Sequence, residues 1–410
     1  MTIADPSIVK VLFIGAGDIN FGCGEGPWNH SIRLEKILGS RLHVLGVVDP
    51  NLSRAESQIG AKRADPKTHA AWAGATVFPN VPHAAAALEA HSITLIVNGC
   101  PPPFRGTTLK GKDLDMQLMK HFPDVRGLLI EKPISSSDPA HFDLETVAFG
   151  LREWQAKPSV LSVGYMLRYL SPVAKIRSVL AEHNLVPMCV SARYFMAYPL
   201  AVNAQWWTKS IWGGPVVEQA THFVDLVRFL AGSDVGNEVV MDTVQASSVE
   251  WDEDAGVLGA QGFDESLIQE DQRIPRLTTA FWKHQRGTVA TLTHGVALQG
   301  AEYSTEIEIL ADGWRFKLQE AYSTCPTLTI RSPASNDDTI IEYPNEDPFA
   351  TEFQVIVDAL DGQSDQQPLS SWTDALQTYK LTWAIRRASE ETRRRNKGTR
   401  HNGSATNGTS

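Results

Sequence analysis

The first fifty residues contain the pattern that most restricts how this chain can fold. Val9–Ala16 (VKVLFIGA) and Leu42–Asp49 (LHVLGVVD) are short apolar runs, and Ser31–Leu38 between them has helical spacing. A strand, a glycine-rich turn, a helix and a second strand make a βαβ unit. The alternation continues through two helix-compatible segments and two more strands: His83–Ala90, Leu95–Val97, Asp113–His121 and Gly127–Ile130. This order predicts a parallel, doubly wound Rossmann sheet over residues 1–157.

The turn after the first strand lies where a dinucleotide-binding fingerprint belongs. Gly15 and Gly17 allow a tight turn and close approach of a pyrophosphate, whereas Asn20 takes the third glycine position. Asp49 ends the second strand, where a carboxylate accepts hydrogen bonds from a ribose and repels a 2′-phosphate. The predicted cofactor is therefore NAD, and the nearby Arg54 leaves NADP open. The predicted cofactor-binding residues of this region are Gly15, Gly17, Asp18, Ile19, Asn20 and Asp49.

The sequence pattern changes after residue 158. A predicted helix at Ser171–Glu182 is followed by a series of predicted strands: Val190–Met196, Thr278–Trp282, Thr288–His294, Thr305–Leu310, Trp314–Leu318 and Thr327–Ile330. Two closing helices are predicted at Phe349–Leu360 and Ser371–Arg387. This order predicts an α+β domain over residues 158–392 with an open, mostly antiparallel sheet. Residues 393–410 are rich in Arg, Asn, Gly, Ser and Thr, and they predict a disordered basic and polar tail.

Composition excludes several classes of function. The net charge of −10 argues against nucleic acid or an anionic membrane as the main partner. The four cysteines lie far apart, which favours a reducing compartment and offers no metal site. No signal peptide or membrane-length apolar run is visible, so we expect a cytoplasmic protein.

Residues 213–232 place three polar side chains on one stripe of a predicted helix. Glu218, His222 and Asp225 fall within roughly 60° of one another at helical periodicity, opposite an apolar side. A carboxylate beside an imidazole suits a proton-transfer group. The competing interpretation is the solvated face of a half-buried helix.

Lys132 follows a predicted strand within the tripeptide Glu131-Lys132-Pro133. Ligands bind at the carboxyl edge of a doubly wound sheet, so a lysine there is placed to hold a substrate hydroxyl. A surface turn that ends in proline is the alternative.

Together these motifs resemble the Gfo/Idh/MocA oxidoreductases. The resemblance rests on the Gly15-x-Gly17 turn, Glu131-Lys132-Pro133, Val163–Tyr169 (VGYMLRY) and Gly213–Asp225 (GGPVVEQATHFVD), and it runs in order from about residue 9 to residue 390. It implies a Rossmann domain followed by an α+β domain whose open sheet makes a homodimer or homotetramer contact.

By the resemblance, Lys132 and His222 are catalytic, and Glu218 takes a place often held by Asp. Pro101, Glu131 and Lys132 are expected to contact the cofactor. The expected substrate contacts are Tyr165, Arg168, Trp207 and Asp225. Other aromatic residues flank the motifs, either as ligand contacts or as core: Tyr194, Tyr198, Trp206 and Trp212. Gly99–Arg105 (GCPPPFR) departs from the Thr-Pro and nearby His of many relatives, which leaves the substrate open.

The implied function is NAD(P)-dependent hydride transfer between nicotinamide and a hydroxyl-bearing carbon of a sugar, cyclitol or related cyclic alcohol. His222 would accept the hydroxyl proton, Glu218 would support His222, and Lys132 would hold the oxygen. Three alternatives stay open. They are a C=C or C=N reductase acting on a cyclic or secondary-metabolite substrate, a redox-neutral enzyme with tightly bound NAD, and a non-catalytic nucleotide sensor.

Overall fold

The computed structural model describes residues 8–24, 26–88, 93–157, 159–259, 262 and 264–404. The last residues of the predicted helical segment His83–Ala90 and residues 405–410 of the predicted tail lie outside these ranges. The chain forms two compact units. The first unit comprises residues 1–169 and 347–376, and the second comprises residues 170–346 and 377–410.

Strands and helices alternate in the first 169 residues. The strands are β1 (Val9–Ile14), β2 (Leu42–Val48), β3 (Thr76–Phe78), β4 (Leu95–Asn98), β5 (Gly127–Ile130) and β6 (Val160–Val163). The helices are α1 (Asp18–Phe21), α2 (His30–Leu38), α3 (Leu52–Ala64), α4 (His69–Trp72), α5 (Val81–Ala87), α6 (Leu114–His121) and α7 (Glu145–Gln155). Over the described residues the strands form one parallel sheet in the order β3-β2-β1-β4-β5-β6. The predicted Rossmann sheet is confirmed.

The second unit contains a larger sheet. Its helices are α8 (Ser171–Glu182), α9 (Lys209–Trp212), α10 (Pro215–Glu218) and α11 (Thr221–Ala231). Its strands are β7 (Cys189–Ala197), β8 (Val239–Val249), β9 (Leu277–His284), β10 (Val289–Leu298), β11 (Ser304–Ala311), β12 (Trp314–Gln319), β13 (Thr327–Arg331) and β14 (Thr339–Glu342). Among the described residues the order is β14-β13-β12-β11-β7-β10-β9-β8, with only β7 and β10 parallel. The predicted open, mostly antiparallel sheet is also confirmed.

Two late helices follow, α12 (Pro348–Leu360) and α13 (Trp372–Ser404). The sequence places α12 in the second domain, but its buried Phe353 and Ile356 belong to the same apolar core as Val11 and Phe13 of β1. The burial of these side chains explains why residues 347–376 group with the first unit. Residues 158–169 join it too, because β6 pairs with β5. The compact units therefore differ from the predicted division at residues 157 and 158.

The C-terminal helix is longer than its sequence pattern indicates. Helix α13 continues to Ser404, so residues 393–404 are helical where the sequence predicts disorder. Arg393 explains part of the extension, because its guanidinium donates to Glu250 Oε2 and to Asp252 Oδ1, each at 2.8 Å. None of the described helices is both long enough and apolar enough to cross a membrane.

The helix predicted over residues 213–232 is in fact two helices. The Ala220 amide donates to the Pro215 carbonyl at 2.9 Å, a hydrogen bond over five residues that interrupts the helical phase. Glu218 therefore ends α10 and His222 lies in α11, so they do not share one continuous stripe. Every residue of α11 is buried, including Asp225 and Arg228, which rules out the solvated-face interpretation.

Candidate functional site

In the first unit, the glycine turn between β1 and α1 has different surroundings at its two glycines. Gly15 has φ of +91°, and a Cβ there would lie 3.3 Å from the Gly99 backbone. A side chain would therefore be both strained and crowded at Gly15. At Gly17 the Cβ position has open space around it. Gly17 precedes α1, whose first residue Asp18 is exposed, and Ile19 is half-buried. The turn fits a dinucleotide phosphate on its open side.

The Asn20 side chain has structural contacts in this unit, and its predicted cofactor contact stays a prediction. Its side chain is fully buried, and its amide donates to the carbonyls of Ile14 (3.0 Å) and Gly15 (2.8 Å). A Cβ on Gly99 would lie 2.6 Å from this amide. Asn20 thus holds the glycine turn against the end of β4, where the usual third glycine would allow close helix packing.

Asp49 is buried at the end of β2 and already has three hydrogen-bond donors. The Ala16 amide donates to Oδ2 at 2.7 Å, the Asn51 amide donates to Oδ1 at 2.8 Å, and Arg54 forms an ion pair with Oδ2 at 2.9 Å. An ionised carboxylate accepts about four hydrogen bonds, so these three donors leave one acceptor position. The Arg54 side chain is 50% exposed, so its charge is available beside that position.

Glu131 and Lys132 follow β5 and have different environments. Glu131 is buried; His30 Nε2 lies 2.7 Å from its Oε1, and the Lys132 amide donates to its Oε2 at 3.0 Å. Burial is the largest influence on the Glu131 pKa and raises it, but the His30 hydrogen bond and nearby positive charges lower the pKa overall. Glu131 therefore stays ionised and orients the turn that carries Lys132, whose own side chain is half-buried.

Three buried polar atoms without a hydrogen-bond partner among the described residues belong to Arg105 and Asp115, beside the end of β4. Arg105 is fully buried; its Nε donates to the Cys100 carbonyl at 2.8 Å, but Nη1 and Nη2 have no partner among the described residues. Asp115 accepts from Asn98 through Oδ1 at 3.0 Å, while its Oδ2 has none. Burial raises the pKa of Asp115 to about 6. Pro101, predicted to contact the cofactor, is exposed in the same segment.

In the second unit, Glu218 and His222 lie beside a group of tyrosines. The Trp206 indole donates to Glu218 Oε2 at 2.7 Å. The His222 ring is edge-on to the Tyr322 ring, with centroids 6.1 Å apart and planes at 80°. Burial raises the pKa of Tyr322, and the negative charge of Glu218 raises it further, which places Glu218 in the same cluster. Tyr194 and Tyr303 complete what we call the tyrosine cluster: Tyr194, Tyr303 and Tyr322.

His294 supports this region from β10. Its Nε2 lies 2.8 Å from Gln219 Oε1, and burial lowers the His294 pKa to about 3. The imidazole is therefore neutral near neutral pH and donates to the amide oxygen. This bond holds Gln219, one of the two residues between the helices that carry Glu218 and His222.

Three predicted substrate contacts are engaged in structural interactions. Arg168 is 2% exposed and pairs with Asp374 Oδ2 at 2.5 Å, within the first unit. In the second unit Trp207 is 0% exposed and donates to the Ala201 carbonyl at 2.6 Å. Asp225 accepts from Thr378 Oγ1 at 2.8 Å in the core. These contacts use polar groups of the three side chains inside each unit, and their predicted substrate roles stay predictions. Tyr165 is also buried, and its substrate role stays a prediction.

Sequence reasoning missed several residues that the fold brings to these sites. His30 precedes its partner Glu131 by 101 residues, and Tyr303 and Tyr322 lie outside the motifs. No local signal marks such pairs, because only the tertiary fold brings them together. Among the described residues no group of three or more His, Cys, Asp or Glu side chains could hold a metal ion.

The comparisons with known proteins agree with this architecture. A family model described as "Putative oxidoreductase C terminal domain" matches residues 168–314. Two Schizosaccharomyces pombe proteins, the uncharacterized UNK4.17 and C12C2.04, are 39% and 36% identical over 383 and 385 residues. Each match covers 92% of this chain, and the matches cover 91% and 96% of those proteins.

Solved structures with low sequence identity share the fold. The WlbA dehydrogenase from Bordetella pertussis, in complex with NADH and UDP-GlcNAcA, has a TM-score of 0.64 at 17% identity, with coverage of 94% of this chain and 97% of that chain. A 3-ketoreductase from Actinomadura kijaniata, in complex with NADP and TDP-benzene, has 0.64 at 15% identity, with coverage of 93% and 98%. A super-repressor mutant of Gal80p from Saccharomyces cerevisiae has 0.67 at 12% identity, with coverage of 94% and 97%.

A Rossmann sheet with a glycine turn, together with a second unit built on a large open sheet, defines a two-unit fold class that the two oxidoreductases and Gal80p share. Within that class, the chain belongs to the Gfo/Idh/MocA family, which confirms the resemblance carried by its motifs.

Proposed function

We propose that the protein is an NAD(P)-dependent dehydrogenase that acts on a hydroxyl-bearing carbon of a sugar, cyclitol or related cyclic alcohol. The observation that carries the proposal is the glycine turn, which is crowded at Gly15 and open at Gly17, beside the carboxylate of Asp49. The NADH and NADP complexes of the two structural neighbours support a nicotinamide cofactor. A bound nicotinamide would supply the hydride chemistry.

The chain's own residues would bind and move the proton. In the second unit His222 would accept the hydroxyl proton, and the nearby negative charge of Glu218 would stabilise the imidazolium that forms. In the first unit Lys132 would hold the substrate oxygen and favour its alkoxide character. The glycine turn and Asp49 would hold the phosphates and the adenosine ribose.

Cofactor choice is proposed to depend on Asp49 and Arg54 together. The Asp49 carboxylate favours NAD, but its ion pair with Arg54 offsets part of its repulsion of a 2′-phosphate. We therefore propose NAD as the preferred cofactor, with NADP also accepted.

The test is a substrate panel with the full-length protein. D-glucose, D-xylose, myo-inositol and UDP-N-acetylglucosamine are each incubated with NAD or NADP, and formation of reduced cofactor is measured. We expect turnover of at least one compound, with a loss of about 100-fold or more in kcat for His222→Ala and Lys132→Met. His183→Ala, an exposed histidine of the same unit, is the control and should retain activity.

Normal turnover by His222→Ala would contradict the proposed proton-transfer role. Consumption of reduced cofactor with enones or imines but not ketones would instead indicate a C=C or C=N reductase. Turnover without net change in the cofactor would indicate a redox-neutral enzyme with bound NAD.

A further inference from the structure

Tyr322 lies in a loop that is fixed to the start of β11. The Ala321 amide donates to Thr305 Oγ1 at 2.8 Å, and the Glu320 amide donates to the Thr305 carbonyl at 3.0 Å. The backbone on the N-terminal side of Tyr322 is thus tied to the sheet, although the residue is outside any strand. Its ring therefore has a defined position within the second unit.

The Tyr322 ring contacts both a candidate catalytic residue and the core behind it. It is edge-on to His222 and also to Phe223, with centroids 5.8 Å apart and planes at 70°. Its centroid lies 5.5 Å from that of Tyr194, which stacks on Phe223 at 4.9 Å. Edge-to-face contacts prefer a defined angle, because a positive ring edge faces a negative ring face. The Tyr322 ring therefore packs against one side of the His222 imidazole.

The Tyr322 hydroxyl has a second connection, to Tyr194. The two phenols are hydrogen-bonded to each other, and either hydroxyl could be the donor. For both tyrosines, burial is the largest cause of the raised pKa, and the charge of Glu218 adds to it. Both phenols therefore stay neutral near physiological pH, and the hydrogen bond between them persists.

We infer that Tyr322 is a positioning residue for His222: its ring sets the plane of the imidazole, and its contact with Tyr194 fixes the ring. This inference rests on the proposed function, in which His222 accepts the substrate proton. Proton transfer depends steeply on the direction of the accepting nitrogen, and a displacement of about 1 Å costs about 100-fold in rate. Simple core packing of the aromatic rings is the competing explanation.

A double-mutant cycle separates these explanations. Tyr322→Leu removes the ring, and Tyr322→Phe removes only the hydroxyl. Each substitution is made alone and in combination with His222→Ala. Every variant is assayed with the compound of the panel that the wild-type protein oxidises. We expect Tyr322→Leu to lower kcat by about 100-fold with KM changed by less than about 3-fold, and Tyr322→Phe to lower kcat by about 5-fold. In the His222→Ala background neither change should lower kcat further, because the group that they position is absent.

The control is Tyr343→Leu, a tyrosine of the same unit that lies next to β14. It should leave kcat and KM unchanged, both in the wild-type background and in the His222→Ala background. Circular dichroism should show that all variants fold. If Tyr322→Leu lowers kcat equally in both backgrounds, the ring does not act through His222 and the inference is wrong. If His222→Ala alone has no effect, the proposed function fails instead.

A second measurement needs no substrate. Diethylpyrocarbonate acylates accessible neutral imidazoles, and His222 is only 6% exposed. If the Tyr322 ring restricts His222, mass spectrometry should show acylation of His222 several-fold faster in Tyr322→Leu than in the wild-type protein or in Tyr343→Leu. Equal rates in all three proteins would overturn the inference even if no compound of the panel is oxidised.

Discussion

Glu218 shows how one methylene group can determine the contacts of a side chain. Its carboxylate reaches the Trp206 indole at 2.7 Å and acts on the tyrosine cluster electrostatically. An aspartate at this position would be shorter by about 1.5 Å, which is enough to break the indole hydrogen bond. The extra length therefore fixes Glu218 to the segment that precedes α9.

This argument predicts the effect of two substitutions at Glu218 and its partner. We expect Glu218→Asp to lower kcat/KM by about 10-fold, and Trp206→Phe to do the same, because each change removes the same charge-assisted hydrogen bond. The double variant should be no worse than either single variant. Steady-state kinetics on the four proteins test this, and independent, multiplying losses would contradict it.

Gly99 allows a second prediction for a single residue. A Cβ at Gly99 would lie 2.6 Å from the buried Asn20 amide, so we expect Gly99→Ala to lower the free energy of unfolding by about 1–3 kcal/mol. Gly60 is the matched control, since it lies within α3 with open space around its Cβ position. Gly60→Ala should raise the stability by about 1 kcal/mol. Urea unfolding measures the free energy of unfolding of both variants. If Gly99→Ala raised it as much as Gly60→Ala does, the short contact at Gly99 would be relieved without loss of stability.

At the level of elements, the regular parts of the fold could be predicted and the irregular ones could not. Strands buried on both faces, such as β1 and β4, are continuous apolar runs, and their glycine turn and alternation with helices identify the sheet. The break between α10 and α11 depends on one hydrogen bond over five residues, from Ala220 to Pro215, which no periodicity indicates. β8 was missed because most of its residues are exposed or half-buried and its pairing contains a register shift.

The carboxyl end of β2 gives a prediction about the cofactor. Arg54 pairs with Asp49 at 2.9 Å and is half exposed, so it is available to a 2′-phosphate. We expect Arg54→Ala to weaken NADP binding by about 10-fold while changing NAD binding by less than about 2-fold. Fluorescence titration with NADH and NADPH measures the Kd of each cofactor for the wild-type protein and for the variant. Lys67→Ala, an exposed positive charge of the same unit, is the control. Equal weakening of both cofactors would contradict a 2′-phosphate contact.

For the whole molecule, the main surprise is that the first unit is completed by residues far along the chain. Helix α12 contributes Phe353, Val357 and Leu360 to the core around β1, more than 300 residues after that strand. Its apolar spacing predicts a helix but carries no information about which core the helix joins. The predicted cytoplasmic location and the homodimer or homotetramer remain predictions.

The buried Asp115 gives a prediction about stability and pH. Its pKa is raised from 3.8 to about 6. Burial is the cause of the rise, and Arg105 and the hydrogen bonds from Gly106 and Asn98 offset part of it. The folded state therefore binds the proton more tightly than the unfolded state. This contribution to stability is complete below about pH 4 and is lost as the pH rises through about 6. A shift of this size corresponds to about 3 kcal/mol.

Asp115→Asn removes the titrating group and keeps an oxygen that accepts from Asn98. Between about pH 4 and pH 7.5 we expect the wild-type protein to lose about 2–3 kcal/mol more of local unfolding free energy than the variant does. An arginine keeps its charge at both pH values. The effect of the substitution on Arg105 is therefore the same at both, and it cancels when the two pH values are compared. Hydrogen exchange of the β1 and β4 peptides measures the difference. Asp124→Asn, an exposed aspartate of the same unit, should follow the wild-type curve. Parallel curves for the wild-type protein and Asp115→Asn would show that this carboxyl does not titrate in the fold between these two pH values.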